Sequence, residues 1–361
     1  MPDVFLRKFS SYTPELEPFF NGFFQLYSSR LLKCRKILLK PNLLQAATSE
    51  RAVTTHPEFL TYLVRSLKRF TRAELILADS PGANFNNFSN VLKITGIQNV
   101  CDKENITVAR MESFQPIEKD DFVYSGIADE VDMIINIAKL KTHSLTGLTM
   151  CVKNFFGLVP GTAKVAYHRR YPSGNDLGDK LYSLSALFAD KSLNFLDGII
   201  AHEGEGPSRG KPVNLGIVAA SENAAALDIE ITKLLGLPVN FCTTNAEAMK
   251  FLDVEEIKLN TGACFDGLSI KTPVSMKKSI IPDSIKKIVA DKIYVKPEII
   301  QPKCTKCLLC LKSCYADAIT FENKTVFINK ELCKECFCCY EVCEDDAIKL
   351  KRSFLHRIFV K

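Results

Sequence analysis

The feature that most constrains this chain is a pair of cysteine runs near its C-terminus. Each run has the spacing CxxCxxCxxxC, and the second repeats the first at a constant offset of 29 residues. The eight cysteines are Cys304, Cys307, Cys310, Cys314, Cys333, Cys336, Cys339 and Cys343. The trailing Ala318-Ile319 recurs as Ala347-Ile348, which indicates an internal duplication. We therefore expect the last sixth or so of the chain to form a duplicated, thiol-rich unit.

This spacing is a ligand pattern for four-iron, four-sulfur clusters. Three cysteines at intervals of three bind one cluster, and the fourth lies a turn further on and reaches the other. Zinc ribbons, the alternative, use paired CxxC sites separated by a spacer, and disulfides need an oxidising compartment. The segment Met1 to Lys8 shows no apolar signal core followed by a small-residue cleavage site. We expect two 4Fe-4S clusters, electron transfer and a reducing cytoplasm.

The duplicated unit resembles the two-cluster bacterial ferredoxin module, whose halves each contain a ligand loop, a short helical turn and a β-rich stretch that closes a hairpin. The resemblance implies one cluster on Cys304, Cys307, Cys310 and Cys343, and another on Cys333, Cys336, Cys339 and Cys314. The usual proline after each fourth cysteine is replaced by Tyr315 and Glu344, so that turn is not stiffened. A ninth thiol, Cys338, is either an alternative ligand or a small packed side chain.

Composition excludes two classes of protein for the remaining chain. The whole chain has 361 residues, of which 47% are hydrophobic and 24% charged, with a net charge of +6. A chain of this length can bury a large core and form two or three globular units. No run approaches the roughly 18 to 20 apolar residues of a membrane span. Long Lys/Arg blocks of the kind typical of nucleic-acid binders are also missing. We therefore expect neither a membrane span nor a nucleic-acid partner.

Short β-branched runs alternate with helical patterns before the cysteines. Strands are predicted at 36–44, 74–78, 131–138, 193–200 and 215–220, and helices at 56–70, 145–156 and 224–235. Thr55 is the expected N-cap of the first helix, with Pro57 in its first turn. Interleaved strands and helices favour an α/β domain with a mostly parallel sheet.

The predicted fold is thus an α/β domain over residues 1–296, with its core at about 35–240, followed by a small α+β ferredoxin-like two-cluster domain over 297–350. The segment Pro297 to Pro302 is the expected linker, because apolar periodicity stops there and the cysteines begin. Residues 351–361 form a basic, aromatic tail, which is either an interaction surface or a frayed terminus.

Loops after the strand at 131–138 carry candidate residues for an anionic ligand. In parallel sheets, ligands bind beyond the carboxyl ends of the strands, and these loops combine basic side chains with glycines that let backbone amides approach. The candidates for clamping an anion are Lys141, His143, Lys153, Asn154 and Lys164. Lys141, His143 and His168 are the candidate catalytic residues, with either histidine transferring a proton. The alternative is a solvated basic face with ordinary turns.

A second loop, residues 201–212, follows the strand that ends at Ile200. Its candidate ligand-binding residues are Glu203, Gly204 and Gly206. Glu203 and Glu205, with His202, have the chemistry of an acid, a base or a metal ligand, and a solvated loop has equal weight. Neither GxGxxG nor GxxxxGK[ST] is present, so nucleotide binding is not supported. Asp228 is expected to be a negatively charged residue near the N-terminus of the next helix and not a catalytic residue.

Five segments taken together resemble the domain of unknown function 362 family. They are LKPNLL (Leu39 to Leu44), TTHPE (Thr54 to Glu58), AKLKTHSLTGLTMCVKNFFG (Ala138 to Gly157), DGIIAHEGEGPSRG (Asp197 to Gly210) and AALDIEITKLLG (Ala225 to Gly236), with Lys164 and His168 also matching. The resemblance covers roughly residues 35 to 240. Members often carry a C-terminal two-cluster ferredoxin module, as here. The family name states no activity, so the resemblance implies a domain and not a reaction.

Two functions fit these observations. In the first, the α/β domain binds an anionic small molecule and the clusters exchange electrons with it, as in an iron-sulfur oxidoreductase. In the second, the chain is an electron carrier or maturation partner whose α/β domain docks another protein. Either function needs a redox partner protein. The sequence has no flavin or nicotinamide fingerprint, so a direct hydride reaction is not predicted.

Overall fold

The computed structural model describes residues 1–82, 87–161, 163–171, 173–262, 264–265, 267–276, 294–343 and 345–354. Its strands are β1 (Asp3–Lys8), β2 (Lys36–Pro41), β3 (Glu74–Leu77), β4 (Thr107–Val108), β5 (Pro116–Lys119), β6 (Phe122–Ser125), β7 (Met133–His143), β8 (Gly147–Thr149), β9 (Ser192–Glu203), β10 (Lys211–Ser221), β11 (Lys258–Thr261), β12 (Val295–Ile299), β13 (Ile319–Glu322), β14 (Thr325–Ile328) and β15 (Ile348–Arg352). Its α-helices are α1 (Leu16–Leu26), α2 (Ser28–Leu31), α3 (Pro57–Leu67), α4 (Phe88–Thr95), α5 (Ile97–Lys103), α6 (Ile127–Glu130), α7 (Cys151–Asn154), α8 (Ala163–Arg170), α9 (Gly174–Ala186), α10 (Ala224–Leu234), α11 (Thr243–Ala248), α12 (Leu309–Lys312) and α13 (Cys338–Val342).

One large sheet organises the first 261 residues. Among the described residues it has nine strands, in the order β11-β1-β10-β9-β7-β2-β3-β4, with β8 paired to the end of β7. Two strands run against the direction of the others. They are β10, which is antiparallel to β1 and β9, and β8, which is antiparallel to β7. The predicted α/β class with a mostly parallel sheet is confirmed, and the reversed β10 makes the sheet mixed.

Helices cover both faces of the sheet, so its central strands are buried throughout their length. Every residue of β7 is buried. On β2, Ile37 and Leu39 pack into a core with α1 and α3, whereas Leu38 between them packs into a second core with α9. This alternation follows from the two-residue period of a strand. A centre covered on both sides places the exposed, ligand-accessible residues at the strand ends.

The helix predicted at 145–156 is wrong over its first half. The chain leaves β7, turns at Gly147, where φ is +79°, and pairs back as β8. A helix begins only at Cys151. Asp228 explains that start, because its carboxylate accepts the Cys151 and Val152 amides at 2.9 Å each. Asp228 therefore caps α7 and not its own helix α10, and burial raises the pKa of this carboxyl to about 7.

Two further local predictions are also wrong. Thr55 does not cap α3, because its hydroxyl donates to Ile137 O and accepts from Asn42 N, each at 2.8 Å. His56 caps the helix instead, with Nδ1 accepting from Glu58 N at 3.2 Å. The expected linker at residues 297–302 includes most of β12, which pairs antiparallel with β15, so the C-terminal unit already begins at Val295.

The C-terminal unit repeats its backbone at the offset seen in the sequence. Ile300 N donates to Ala347 O at 2.6 Å, and Asn329 N donates to Ala318 O at 2.7 Å. Adding 29 to the donor of the first bond and subtracting 29 from its acceptor gives the second bond. The ribbons β12–β15 and β13–β14 correspond in the same way. Left-handed φ values recur at Lys306 and Glu335, Leu308 and Phe337, and Asp317 and Asp346. The unit therefore consists of two equivalent halves.

In the part of the chain that the structure describes, no helix is long and apolar enough to cross a membrane.

A buried ion pair joins the two central strands of the sheet. Lys139 on β7 lies opposite Asp197 on β9, with 2.8 Å between Nζ and Oδ2 and no exposure of either side chain. Asp197 also accepts from the Tyr12 hydroxyl at 2.8 Å and from His56 N at 3.0 Å. Burial lowers the pKa of Lys139, and the attraction of Asp197 opposes that shift.

We expect Lys139→Met to lower the free energy of unfolding by about 3–5 kcal/mol, because it leaves the Asp197 carboxylate buried without its cation. The double variant K139M/D197L should lose less than the sum of K139M and D197L. Urea unfolding of the four proteins measures both quantities. The control is K233M, which breaks an ion pair on the surface of α10 and should cost less than about 1 kcal/mol. Equal losses for K139M and K233M would contradict this prediction.

Candidate functional site

A cavity of about 120 Å³ lies at the carboxyl ends of β2 and β7, where the α/β domain contacts the C-terminal unit. We name it the lysine cavity. The α/β domain contributes polar lining residues Lys40, Asn42, Asp79, Ser80, Lys141, His143, Thr149, Lys153, Asn154, Lys164 and His168. The C-terminal unit contributes Ser313, Cys338, Glu341 and Val342. The site is therefore built from two parts of the chain that are far apart in sequence.

Six of the candidate residues from the sequence line this cavity, and three do not. Lys141, His143, Lys153, Asn154, Lys164 and His168 belong to its wall. Glu203, Gly204 and Gly206 lie outside the lining. Glu203 accepts from Lys271 N at 2.9 Å, Gly204 N donates to Lys271 O at 2.7 Å, and Gly206 O accepts from Ser144 Oγ at 2.7 Å. The structure thus gives these three residues contacts that hold the loop in place.

His202 likewise has structural contacts. Its Nε2 accepts from Gly210 N at 2.9 Å, and Nδ1 lies 3.0 Å from Arg51 O. A ring whose Nε2 accepts an amide carries its proton on Nδ1 and donates it to that carbonyl. Burial, together with Lys141, lowers the pKa of His202 to about 4. The imidazole is therefore neutral and closes the loop 201–212 on itself.

An ion pair that was not predicted from the sequence forms one wall of the cavity. Lys40 is fully buried, and its Nζ lies 2.8 Å from Asp79 Oδ1. Asp79 Oδ2 also accepts from Leu43 N at 2.7 Å. Gly157 lies directly over the pair, because a Cβ at that position would come within 2.7 Å of Lys40 Cε. Lys40 belongs to the LKPNLL segment and Asp79 to a turn, and neither position alone reveals the pairing.

A chain of amide side chains positions Lys141. Lys141 Nζ donates to Asn42 Oδ1 at 2.6 Å, Asn42 Nδ2 donates to Asn154 Oδ1 at 2.9 Å, and Asn154 Nδ2 donates to Asn136 Oδ1 at 2.8 Å. No carboxylate in the described part of the chain bonds to Lys141. Burial lowers the pKa of Lys141 to about 7, and the like charge of Lys153 adds to the shift. Asn154 is thus a support for Lys141 as well as a lining residue.

His143 faces Glu341 across the cavity. His143 Nδ1 accepts the Leu145 and Thr146 amides at 3.1 and 3.2 Å, so a neutral ring carries its proton on Nε2. That nitrogen lies 3.2 Å from Glu341 Oε1, without the alignment of a hydrogen bond. Burial, with Lys153 nearby, lowers the pKa of His143 to about 4. Although burial alone raises it, His143 and Lys153 hold the pKa of Glu341 at about 2.

Lys153, Lys164 and His168 surround the ring of Phe156. The two Nζ atoms lie 5.6 and 5.9 Å from the ring centroid, and the His168 ring lies 6.0 Å from it. Lys164 Nζ donates to Ser80 O. Lys153 Nζ makes no hydrogen bond or ion pair with any described residue. His168 Nδ1 is buried and has no hydrogen-bond partner in the same part of the chain. Burial lowers the pKa of Lys153, and it lowers that of Lys164 to about 8 and that of His168 to about 4.

Two smaller cavities in the C-terminal unit are each lined by four of the duplicated cysteines. The first is lined by Cys304, Cys307, Cys310 and Cys343, and the second by Cys314, Cys333, Cys336 and Cys339, with Cys338 beside them. Equivalent amides approach one sulfur in each half, because Ala318 N donates to Cys314 Sγ and Ala347 N to Cys343 Sγ, both at 3.3 Å. Within the described ranges, no three His, Cys, Asp or Glu side chains form a group that could hold a metal ion.

The second cysteine cavity and the lysine cavity share part of their walls. Ser313 and Cys338 line both. Both residues lie in or next to the short helices α12 and α13. The first cysteine cavity has no lining residue in common with the lysine cavity. Of the two shared residues, only Cys338 is recognisable from the sequence, as a ninth thiol beside the eight repeated cysteines.

The loop 201–212 holds the C-terminal unit against the α/β domain. Arg209 Nη2 donates to Cys343 O at 3.2 Å, its guanidinium lies 4.0 Å from the centroid of the Tyr340 ring, and Nε lies 3.3 Å from Asp346 Oδ1. Tyr340 in turn donates its hydroxyl to Glu205 O at 3.2 Å. This glycine-rich loop therefore contacts the C-terminal unit.

A family model described as "Domain of unknown function (DUF362)" matches residues 37–233. The chain belongs to the DUF362 family. The thylakoid-associated protein sll1697 of Synechocystis sp. is 31% identical over 273 residues, which are 74% of this chain and 78% of that protein. A crystal structure of a Thermotoga maritima protein matches with a TM-score of 0.35 and 13% identity, over 58% of this chain and 56% of that one. This chain thus spans about half of the Thermotoga protein. The DUF362 match confirms the family expected over residues 35 to 240.

The pKa of Lys141 predicts an unusual pH dependence of stability. Between about pH 7 and its ordinary value of 10.5, the unfolded chain binds a proton that folded Lys141 does not. The free energy of unfolding must therefore rise with pH in that window, by up to about 1.4 kcal/mol per pH unit for one group. K141M removes this contribution. The difference in unfolding free energy between wild type and K141M should grow from pH 7.5 to 9, as followed by urea unfolding at each pH. Parallel curves for the two proteins would contradict the low pKa.

Proposed function

We propose that this DUF362 protein is an iron-sulfur protein that binds two 4Fe-4S clusters in its C-terminal unit, and that it exchanges electrons with an anionic small molecule in the lysine cavity. The observation that carries the proposal is the wall formed by Ser313 and Cys338, which separates a four-cysteine cavity from a cavity rich in buried cations. A redox centre and a ligand site that share a wall are the arrangement that such a reaction needs.

The donor chemistry of the C-terminal unit supports two clusters. Each of two equivalent cavities presents four thiols from both halves of the duplication, as in two-cluster ferredoxins. The sulfurs of a four-iron cluster bind four different irons and stand farther apart than the ligands of one ion, so a single-ion group is not the expected geometry. Amides donate to the sulfurs of Cys314 and Cys343, and hydrogen bonds to ligand sulfurs are one determinant of a cluster's reduction potential. When bound, such clusters take up and release electrons.

The lysine cavity supports an anionic ligand. Lys141 and Lys164 have lowered pKa values because burial is not offset by enough negative charge. An anion would restore the protonated state of both amines and accept their hydrogen bonds. His168 Nδ1 is buried without a hydrogen-bond partner among the described residues, and Lys153 Nζ has no hydrogen bond to any of them. These four residues are the proposed clamp.

His143 is the proposed proton donor. Two backbone amides fix its Nδ1 as an acceptor, so the proton of the neutral ring lies on Nε2 and faces Glu341. A proton in that position is available to a ligand that gains negative charge on reduction. His168 is the alternative donor, because it lines the same cavity. Lys141 would stabilise negative charge that develops on the ligand.

We place the protein in a reducing compartment such as the cytoplasm, because Cys307 is exposed and five other cluster cysteines are only partly buried. The related Synechocystis protein is named as thylakoid-associated. A redox partner protein at a membrane surface would fit both chains. That partner must supply or remove the electrons, since the sequence has no flavin or nicotinamide fingerprint.

Iron and sulfide analysis of anaerobically purified protein tests the cluster ligands. Wild type should contain about eight irons and eight sulfides per chain, the content of two four-iron clusters. Cys336→Ala should lower this toward about four, because it removes one ligand of the second cavity. Cys338→Ala is the matched control, since this thiol lines the same cavity but is not a proposed ligand, and its iron content should stay at the wild-type level.

Iron near four per wild-type chain would exclude two such clusters, and tightly bound zinc without sulfide would replace them with zinc sites. If C338A loses iron while C336A does not, Cys338 and not Cys336 is a ligand of the second cluster. Full iron content combined with no anion binding under any condition would favour an electron carrier whose α/β domain docks a protein.

A further inference from the structure

The charges that line the lysine cavity do not cancel. Lys40 is closed off by its 2.8 Å ion pair with Asp79. The remaining lysines and acids of the lining are Lys141, Lys153 and Lys164 against Glu341. With all three amines protonated, as they would be beside a bound anion, the cavity carries two positive charges in excess. Uncompensated charge in a buried site is unfavourable. A ligand with two negative charges would remove the excess.

Neighbouring acids among the described residues do not supply this charge. Asp197 is bound to Lys139 at 2.8 Å. Glu112 lies outside the cavity lining, where it accepts from Ser80 Oγ at 3.0 Å and Gly161 N at 3.2 Å and lies 3.9 Å from Arg110. Both carboxylates are thus engaged elsewhere, and the excess belongs to the cavity.

Unused hydrogen-bonding atoms on the wall specify more than charge. Lys153 Nζ has no hydrogen bond to a described residue, and His168 Nδ1 is buried without a hydrogen-bond partner among them, so two nitrogens are open to anionic oxygens. On the opposite side, Glu341 Oε1 is buried and has no aligned hydrogen-bond donor among the described residues, the nearest being His143 Nε2 at 3.2 Å. A carboxylate oxygen in that state needs a donor. An anion composed only of acceptor oxygens would satisfy the nitrogens and repel Glu341.

We propose that the lysine cavity binds a compact dianion that also carries a hydroxyl group. The two charges balance the cation excess, the anionic oxygens accept from Lys153 and His168, and the hydroxyl donates to Glu341 Oε1. A cavity of about 120 Å³ restricts the ligand to a small molecule. This inference rests on the proposed function for its redox meaning, and it defines the class of ligand: a hydroxylated dicarboxylate or a hydroxylated phosphate monoester.

Four probes separate the elements of this ligand. Malate, tested as both enantiomers, has two carboxylates and a hydroxyl. Succinate lacks the hydroxyl, lactate lacks the second charge, and glycerol 3-phosphate replaces one source of the dianion with another. Calorimetric titration of the full-length, cluster-loaded protein at pH 7 should give binding of one malate enantiomer or of glycerol 3-phosphate. Succinate and lactate should bind at least about tenfold more weakly, because each leaves a buried partner unsatisfied.

Variants assign these preferences to residues. K153M should weaken binding of the preferred dianion at least about tenfold by removing an unshared cation. K164M provides a second test at the same ring of Phe156. E341Q removes the negative charge that opposes succinate, so succinate should bind more tightly and the hydroxyl preference should shrink. K233M, which changes an exposed lysine on α10, is the matched control and should bind every probe as wild type does.

The outcomes are distinct from those of the cluster experiment. Equal affinity for succinate and malate, with glycerol 3-phosphate not bound, overturns the hydroxyl requirement, and lactate binding as tightly as the best dianion overturns the charge requirement. No binding of any probe by protein with its full iron content overturns this inference while the clusters stand. If anaerobically purified wild type contains no iron and still binds a dianion tightly, the inference about the ligand is supported and the proposed electron transfer is contradicted. Preference between malate and glycerol 3-phosphate identifies the source of the dianion, and tight binding of either supports the proposal.

Discussion

Burial of lysine amines at the carboxyl ends of β2 and β7 determines much of this structure. An ammonium removed from water must find oxygen acceptors within hydrogen-bond distance or lose its proton. Lys40 and Lys139 each find a carboxylate, Asp79 and Asp197. Among the described residues, Lys141 finds only the Asn42 amide and the Val53 carbonyl as hydrogen-bond acceptors. The first two lysines therefore serve the fold, whereas the third leaves a demand for negative charge that the cavity alone does not meet.

The interface between the two units depends on the same demand. Glu341 on α13 is the carboxylate that the C-terminal unit contributes to the cavity, and it approaches His143 only because that unit is docked. Arg209 and Tyr340 hold it there through bonds to Cys343 O and Glu205 O. The α/β domain by itself would present an incomplete cavity with a larger excess of positive charge. The excess of positive charge in the lysine cavity therefore favours both docking of the C-terminal unit and binding of an anionic ligand.

The sequence predicted those strands, helices and candidate residues whose identity depends on a short segment alone. The buried strand at 131–138, the helix at 224–235 and the basic residues after β7 are visible because each is a short segment with its own periodicity or chemistry. The segment 145–156 misled because its helix starts only where Asp228, some 77 residues away, accepts two amides. Lys40, Asp79 and Glu341 were missed for a related reason. Their role arises from a partner on another element, and a single sequence does not show which charges meet.

The two halves of the C-terminal unit share a backbone, but they are no longer interchangeable. Positions 309, 312 and 313 of the first half correspond to 338, 341 and 342 of the second, since each pair differs by 29. The side chains there are Leu309 and Cys338, Lys312 and Glu341, and Ser313 and Val342. The sign of the charge is reversed at the central pair, and only the acidic copy faces the lysine cavity. A lysine at 341 would have added another cation to a wall already short of anions. The charge difference between the copies therefore follows their positions: Glu341 faces the lysines of the α/β domain, whereas Lys312 lies outside the lining of that cavity.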